Sequence, residues 1–197
     1  MISFKKAASI VGISVVLTAV GYYVFKMHFD NNLVVITEGK VYKTAAIPPD
    51  EIDEFVEKYK IKTVIDLRMP GTNDTILNPE TPGELTLEKM AVEAIPNVQY
   101  INIPTPQVPE DHSVDAFLKV MDDSTNYPVL IHCYHGTGRA PLFSAIYRIE
   151  YENFSNDEAR RNARFFVPFG SFDHNTPKGE YLKAYQRRRG ENAKKGS

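Results

Sequence analysis

Hydrophobic and polar positions along this chain follow the periods of helices and strands, except at the N-terminal end. From Ala7 to Phe25 the sequence is uncharged and mostly apolar all round, between Lys5 and Lys6 on one side and Lys26 on the other. At about 1.5 Å per helical residue the run is just long enough to cross a bilayer core of about 30 Å. A helix packed on a core would show one apolar face instead. The pattern predicts an N-terminal transmembrane helix within residues 1–30, acting as a membrane anchor. The paired lysines place the N-terminus in the cytoplasm and the globular part on the extracytoplasmic side, the periplasm in a bacterium. A cleaved signal segment is the competing expectation, although Ala19-Val20-Gly21 is a poor cleavage site.

Beyond Asn31 the two periods alternate. Leu33–Ile36 and Lys40–Thr44 predict short strands. Pro48–Tyr59 predicts a helix with Ile52, Phe55, Val56 and Tyr59 on one face and Pro49 near its start. Lys62–Arg68 is a short apolar strand, and a polar segment broken by proline and glycine follows from Met69 to Gly83. Glu84–Ile95 predicts a helix and Val98–Ile103 a strand, which a proline-punctuated loop ends. Ser113 is the expected cap of a helix carrying Val114, Phe117, Leu118 and Met121 on one face. Pro128–Ile131 is the next strand. Helices are expected over Pro141–Tyr151, over Ser155–Phe166 with a Ser155/Glu158 capping box, and over Glu180–Arg189. This order predicts an α/β domain with a central, mostly parallel sheet flanked by helices. Residues 31–189 form that domain, and residues 190–197 are expected to be a disordered tail.

Composition narrows the function. The 197 residues suit one domain beyond the anchor. A formal net charge of -2 gives no sign of a nucleic-acid partner, and an anionic ligand would need a local site. The single cysteine, Cys133, excludes an internal disulfide and a thiol-pair redox centre. It stands at the end of an apolar strand and opens the segment Cys133-Tyr134-His135-Gly136-Thr137-Gly138-Arg139. A strand, a glycine-broken loop and a helix beginning near Ala140 would aim successive backbone N–H groups into the loop. Arg139 can hold two oxygens of a tetrahedral anion with its planar fork. Those donors also favour the thiolate, the attacking form of cysteine. A cysteine in an apolar run is most often simply core, but the glycines and the arginine argue against that here. His132, Cys133 and His135 lack the spacing of a metal set, so neither metal nor cofactor is expected.

The segment His132-Cys133-x-x-Gly136-x-x-Arg139 resembles the signature of the cysteine-dependent protein tyrosine phosphatases, most closely their compact dual-specificity branch, and in particular its bacterial periplasmic or membrane-anchored members. Similarity extends from about Gly39 to Tyr185. The resemblance implies metal-free hydrolysis of phosphate monoesters through a cysteinyl-phosphate. Cys133 would be the nucleophile and Arg139 the phosphate clamp. Tyr134, His135, Gly136, Thr137 and Gly138 would supply backbone donors, and His132 would support the thiolate from behind. The implied partner is a phosphorylated protein carrying phosphotyrosine, with phosphoserine and phosphothreonine as further candidates.

Such an enzyme also needs an acid to protonate the leaving oxygen. The resemblance points to the loop Pro104–Asp115, with Asp111 first, Glu110 second and Asp115 third. Asp111 could equally serve only to cap the following helix. Asp66 reads as structural, His112 and His174 as loop histidines, and the arginines at 187 to 189 as a solvated helix end. One residue departs from the family pattern: Ala140 stands where a serine or threonine hydroxyl usually faces the sulfur. A charged hydrogen bond of about 1.5–3 kcal/mol corresponds to roughly ten- to 150-fold in rate, so slower but not abolished turnover is expected. Alternative readings are a phosphate-binding module with negligible turnover, an inositol phosphate or phosphoinositide phosphatase, and a sulfurtransferase. The second would ordinarily have lysines in the loop, and this loop has none.

Overall fold

The apolar run that ends at His132 forms β5 (Val129–His132), the strand on which the sheet is organised. In the computed structural model, which describes residues 4–28, 30–70, 82–164 and 170–188, β5 lies between two parallel neighbours. These are β2 (Val41–Thr44) and β3 (Thr63–Asp66). β4 (Gln99–Asn102) adds a parallel edge beside β3, and β1 (Val34–Thr37) adds an antiparallel edge beside β2. The order is β1-β2-β5-β3-β4. All residues of β2, β3 and β5 are buried, which explains why apolar residues there run together instead of alternating: both faces of the sheet are covered.

Helices α2 (Ile52–Tyr59) and α3 (Pro82–Glu93) cover one face. Ile52, Val56 and Val92 meet Tyr42, Val64 and Leu130 there. The other face carries α4 (Asp111–Asp122) and α5 (Arg139–Tyr151), followed by α6 (Asn156–Asn162) and α7 (Pro177–Ala184). Phe117 and Phe143 meet edge to face at 5.0 Å between α4 and α5. Fully burying one such side chain is worth about 1.5–3 kcal/mol, so this layer fixes the helix that follows the cysteine loop.

The helix ends depart from the sequence reading. α4 begins at Asp111, two residues before the expected cap, with Glu110 at the N-cap and no side-chain capping bond. Ser113 is buried inside the helix, where its hydroxyl donates to Pro104 O at 3.3 Å. α7 starts earlier than expected and stops at Ala184, because the chain beyond it is drawn onto α5. Tyr185 Oη donates to Glu150 Oε1 at 2.7 Å and Arg188 N to the same oxygen at 3.0 Å. Arg187 and Arg188 are therefore not a solvated helix end, and Arg189 lies outside the described residues. Arg188 pairs with Asp115, and Arg187 donates to Ile149 O. Ser155 caps α6, accepting from Glu158 N, and among the described residues this is the half of the expected capping box that forms.

The apolar N-terminal run forms α1 (Phe4–His28). Val11, Ile13, Val15, Val16 and Leu17 are each more than 60 % exposed. Among the described residues no helix is long and apolar enough to cross a membrane. Described side chains begin at Val11, so Ala7–Ile10 of the expected span lies outside them. Most of the Met69–Gly83 segment and the expected tail at 190–197 also lie outside the described residues.

Candidate active site

Strand register decides what surrounds Cys133. Thr44, Asp66 and His132 are cross-strand partners at the C-terminal ends of β2, β3 and β5, where parallel sheets place ligands. From that edge the chain enters the loop Cys133–Gly138 and then the first turn of α5 at Arg139. Gly136 has φ +65, and a Cβ there would lie 2.6 Å from Ala45 N and Thr44 O. Only glycine permits both the left-handed backbone and this approach to β2.

The loop is held from outside by its carbonyls. Tyr134 O accepts from Ala46 N at 2.9 Å, His135 O from Asn32 Nδ2 at 3.0 Å, and Gly136 O from Lys43 Nζ at 2.8 Å. Among the described residues, the N–H groups of Tyr134 to Gly138 donate no backbone hydrogen bond. Outward carbonyls and uncommitted N–H groups make a nest for an anion. Arg139, only 3 % exposed, donates from Nη1 to Leu67 O at 3.1 Å, which fixes its guanidinium at the same strand edge. Cys133 is the buried first residue of this cradle. The structure thus brings together Cys133, Arg139, His132 and the intervening loop as the motif requires.

A charged network that the sequence did not announce underlies the loop. Arg68 forks onto Asp66, Nε to Oδ1 at 3.0 Å and Nη2 to Oδ2 at 2.9 Å, and also donates to Glu88 of α3. His132 Nε2 lies 2.8 Å from Glu88 Oε1, and Tyr100 Oη donates to Asp66 Oδ2 at 2.5 Å. All but Tyr100 are buried. Burial pushes the His132 imidazolium down, but Glu88 and Asp66 outweigh it and raise its pKa. Burial pushes Asp66 up, and His132 with Arg68 reverses this, holding its pKa below the usual carboxylate value. Asp66, which the strand position suggested to be structural, ends β3 and acts directly on His132. Ligand atoms of Asp66, Glu88 and His132 lie within 4.8 Å of one another, a spacing a metal ion could use. The Arg68 guanidinium already engages both carboxylates, supplying the positive charge that a cation would bring.

Asp111 opens α4 and faces α7. It lines a groove of about 460 Å³ with Asp115, Tyr181, Tyr185 and Arg188, and its charge raises the Tyr181 pKa together with burial, the larger cause. Asp115 is committed to Arg188, and Glu110 lies 3.3 Å from His112 on the surface. In the same loop Gln107 reaches the cradle: its Oε1 is 3.2 Å from where a Cβ on Gly138 would stand. Lys178 Nζ, from the first turn of α7, is 3.0 Å from that point. Ala140 is fully buried in the first turn of α5. Sequence reasoning missed Gln107, Lys178, Lys43 and Glu88, since only tertiary packing brings them to the motif.

A mostly parallel sheet that delivers a cysteine into an N–H-lined loop closed by a buried arginine defines the dual-specificity-like class of cysteine-dependent phosphatases. Residues 27–176 match the family described as DSP-PTPase phosphatase fused to NAD+ kinase, and the chain belongs to that family. No curated protein matches it. Among solved structures, TpbA of P. aeruginosa, a cysteine-to-serine variant in complex with pTyr, is similar at 19 % identity and a TM-score of 0.59, over 85 % of this chain and 93 % of that one. The catalytic core of the PP-IP phosphatase Siw14 from S. cerevisiae is similar at 17 % identity and a TM-score of 0.56, over 83 % and 91 %. PTPMT1 is similar at 18 % identity and a TM-score of 0.55, over 83 % and 99 %. At these identities the likeness is one of fold.

Proposed function

We propose that this protein hydrolyses phosphate monoesters, with phosphotyrosine proteins as the first substrate class, through a covalent intermediate on Cys133. The observation that carries the proposal is the loop itself, whose carbonyls are tied outward and whose N–H groups, uncommitted among the described residues, stand between Cys133 and Arg139. The Cys133 thiolate attacks phosphorus, forming the S–P bond as the P–O bond to the leaving group breaks. Asp111 donates a proton to that oxygen. Water then attacks phosphorus while the Asp111 carboxylate accepts its proton, and the S–P bond breaks to release phosphate and restore the thiolate. Backbone donors and Arg139 hold the equatorial oxygens throughout. The pTyr complex of TpbA, a protein of the same fold, supports the phosphotyrosine reading.

The N-terminal helix is inferred to anchor the enzyme with its catalytic domain on the extracytoplasmic side. The exposed apolar side chains of Val11 to Phe25 and the lysines before them support this. The test of function is hydrolysis of a small aryl phosphate by the full chain and its loss in Cys133→Ser. Phosphate binding without measurable hydrolysis in the native protein would establish a binding module instead. A panel of phosphopeptides and inositol phosphates then ranks the substrate classes.

A further inference from the structure

Lys178 occupies a position that the fold has taken care to fix. Thr176 caps α7, accepting from Gly179 N at 3.1 Å, and its hydroxyl lies 2.7 Å from Asp173 O and from Ser171 O. Asn175 N donates to Glu180 Oε1 at 2.9 Å, bracing the same turn. A Cβ at Gly179 would lie 2.0 Å from Asp173 O, so the turn packs against the helix too closely for any other residue. The side chain before Gly179 is thereby aimed at the cysteine loop, with Lys178 Nζ against Gly138.

Burial, the helix end and a neighbouring arginine all oppose a cation at this point. The first turn of a helix carries partial positive charge, which repels an ammonium. Lys178 is partly buried, and among the described residues its ammonium has no hydrogen-bonding or ion-pairing partner. Burial and the nearby Arg139 both push its pKa down, and Cys133 alone acts the other way. Gln107, the other side chain against Gly138, is uncharged. A cation kept in such surroundings marks a place completed by an anion, because a phosphoryl dianion reverses the repulsion from the helix end and from Arg139 together.

We propose that Lys178 is a second cation of the phosphate cradle, one that touches the phosphoryl group held by the Cys133–Arg139 loop and is therefore a catalytic residue. This rests on the phosphatase reading above and adds to it a contact outside the signature. The lysine that the loop lacks is supplied by α7. Shared between backbone N–H groups, Arg139 and Lys178, the transferring group would be neutralised on two sides as S–P bonding begins.

Lys178→Met and Lys178→Arg, made in the full chain, test this by two readouts. Inorganic phosphate and vanadate should raise the thermal midpoint of the native protein. In Lys178→Met the unliganded midpoint should be unchanged or higher, the affinity for both anions about tenfold or more weaker, and kcat/KM for an aryl phosphate lower by at least as much. Lys178→Arg, which keeps the charge, should recover most of the anion affinity. Anion binding as tight in Lys178→Met as in the native protein would overturn the proposal. So would equal weakening in both variants with a lowered unliganded midpoint, since that is the mark of a structural residue. Absence of hydrolysis by the native protein would instead condemn the phosphatase reading, while the anion-binding readout would still decide the contact made by Lys178.

Discussion

At the scale of single residues, the site consists of groups whose ordinary preferences are overridden in a common direction. Gly136 adopts a left-handed backbone against β2, and Arg139 is buried. Asp111 is the exposed counterpart, at the first residue of α4 and facing the groove along α7. If it protonates the leaving oxygen, Asp111→Asn should lower kcat/KM for phenyl phosphate by roughly a hundredfold or more. With a leaving group that needs no proton the loss should be much smaller. Equal losses on both substrates, or a larger effect at Glu110, would show that Asp111 only begins the helix. The signature residues were legible because they are contiguous. A strand, two glycines and an arginine at fixed spacing require no knowledge of the rest of the chain.

Elements contribute what no short window of sequence contains. The apolar residues placed all five strands, the three central ones because a strand buried on both faces reads as an apolar run. It could not state that Lys43 of β2 lies beside Gly136, because that follows from parallel pairing with β5. Glu88 is hidden for the same reason, as one polar residue on a helix until α3 docks against His132. The ends of α4 and α7 were misread where tertiary bonds overrode local preference: Ser113 turned to Pro104, and the arginines beyond Ala184 turned to α5. Lys43 also makes this scale measurable. Burial lowers its pKa from 10.5 to about 8, although the Cys133 charge opposes the shift. Between those values the unfolded chain holds a proton that the folded protein has released, so the stability owed to Lys43 rises with pH across that window. Urea unfolding from pH 8 upward should show native protein gaining on Lys43→Met as pH approaches 10.5. A difference that stays constant would contradict the lowering of the Lys43 pKa by burial.

For the whole molecule, the N-terminal helix and the cysteine loop are joined by a short strap. Lys26 O accepts from Asn32 N at 2.7 Å, Asn31 O accepts from Ala45 N at 2.7 Å, and the Asn32 side chain holds His135 O. The loop geometry therefore depends on residues immediately beyond the helix. The native chain should fractionate with membranes at its uncleaved mass. A mature N-terminus near Tyr22 would show that the segment is a removed signal instead. Activity should survive truncation to Lys26 and fall sharply on truncation to Leu33, which removes Asn32.

The most direct measurement is rapid quenching during the first turnover of an aryl phosphate. We expect a burst of leaving group, phosphate recovered on Cys133, and a slow steady state limited by breakdown of the intermediate, because Ala140 offers the departing thiolate no hydroxyl. Ala140→Ser should then raise kcat by roughly ten- to 150-fold with little change in kcat/KM, which reports only the steps up to the first irreversible one. Quenched protein that carries no phosphate on Cys133 while hydrolysis proceeds, or hydrolysis that persists in Cys133→Ser, would contradict covalent catalysis at this loop.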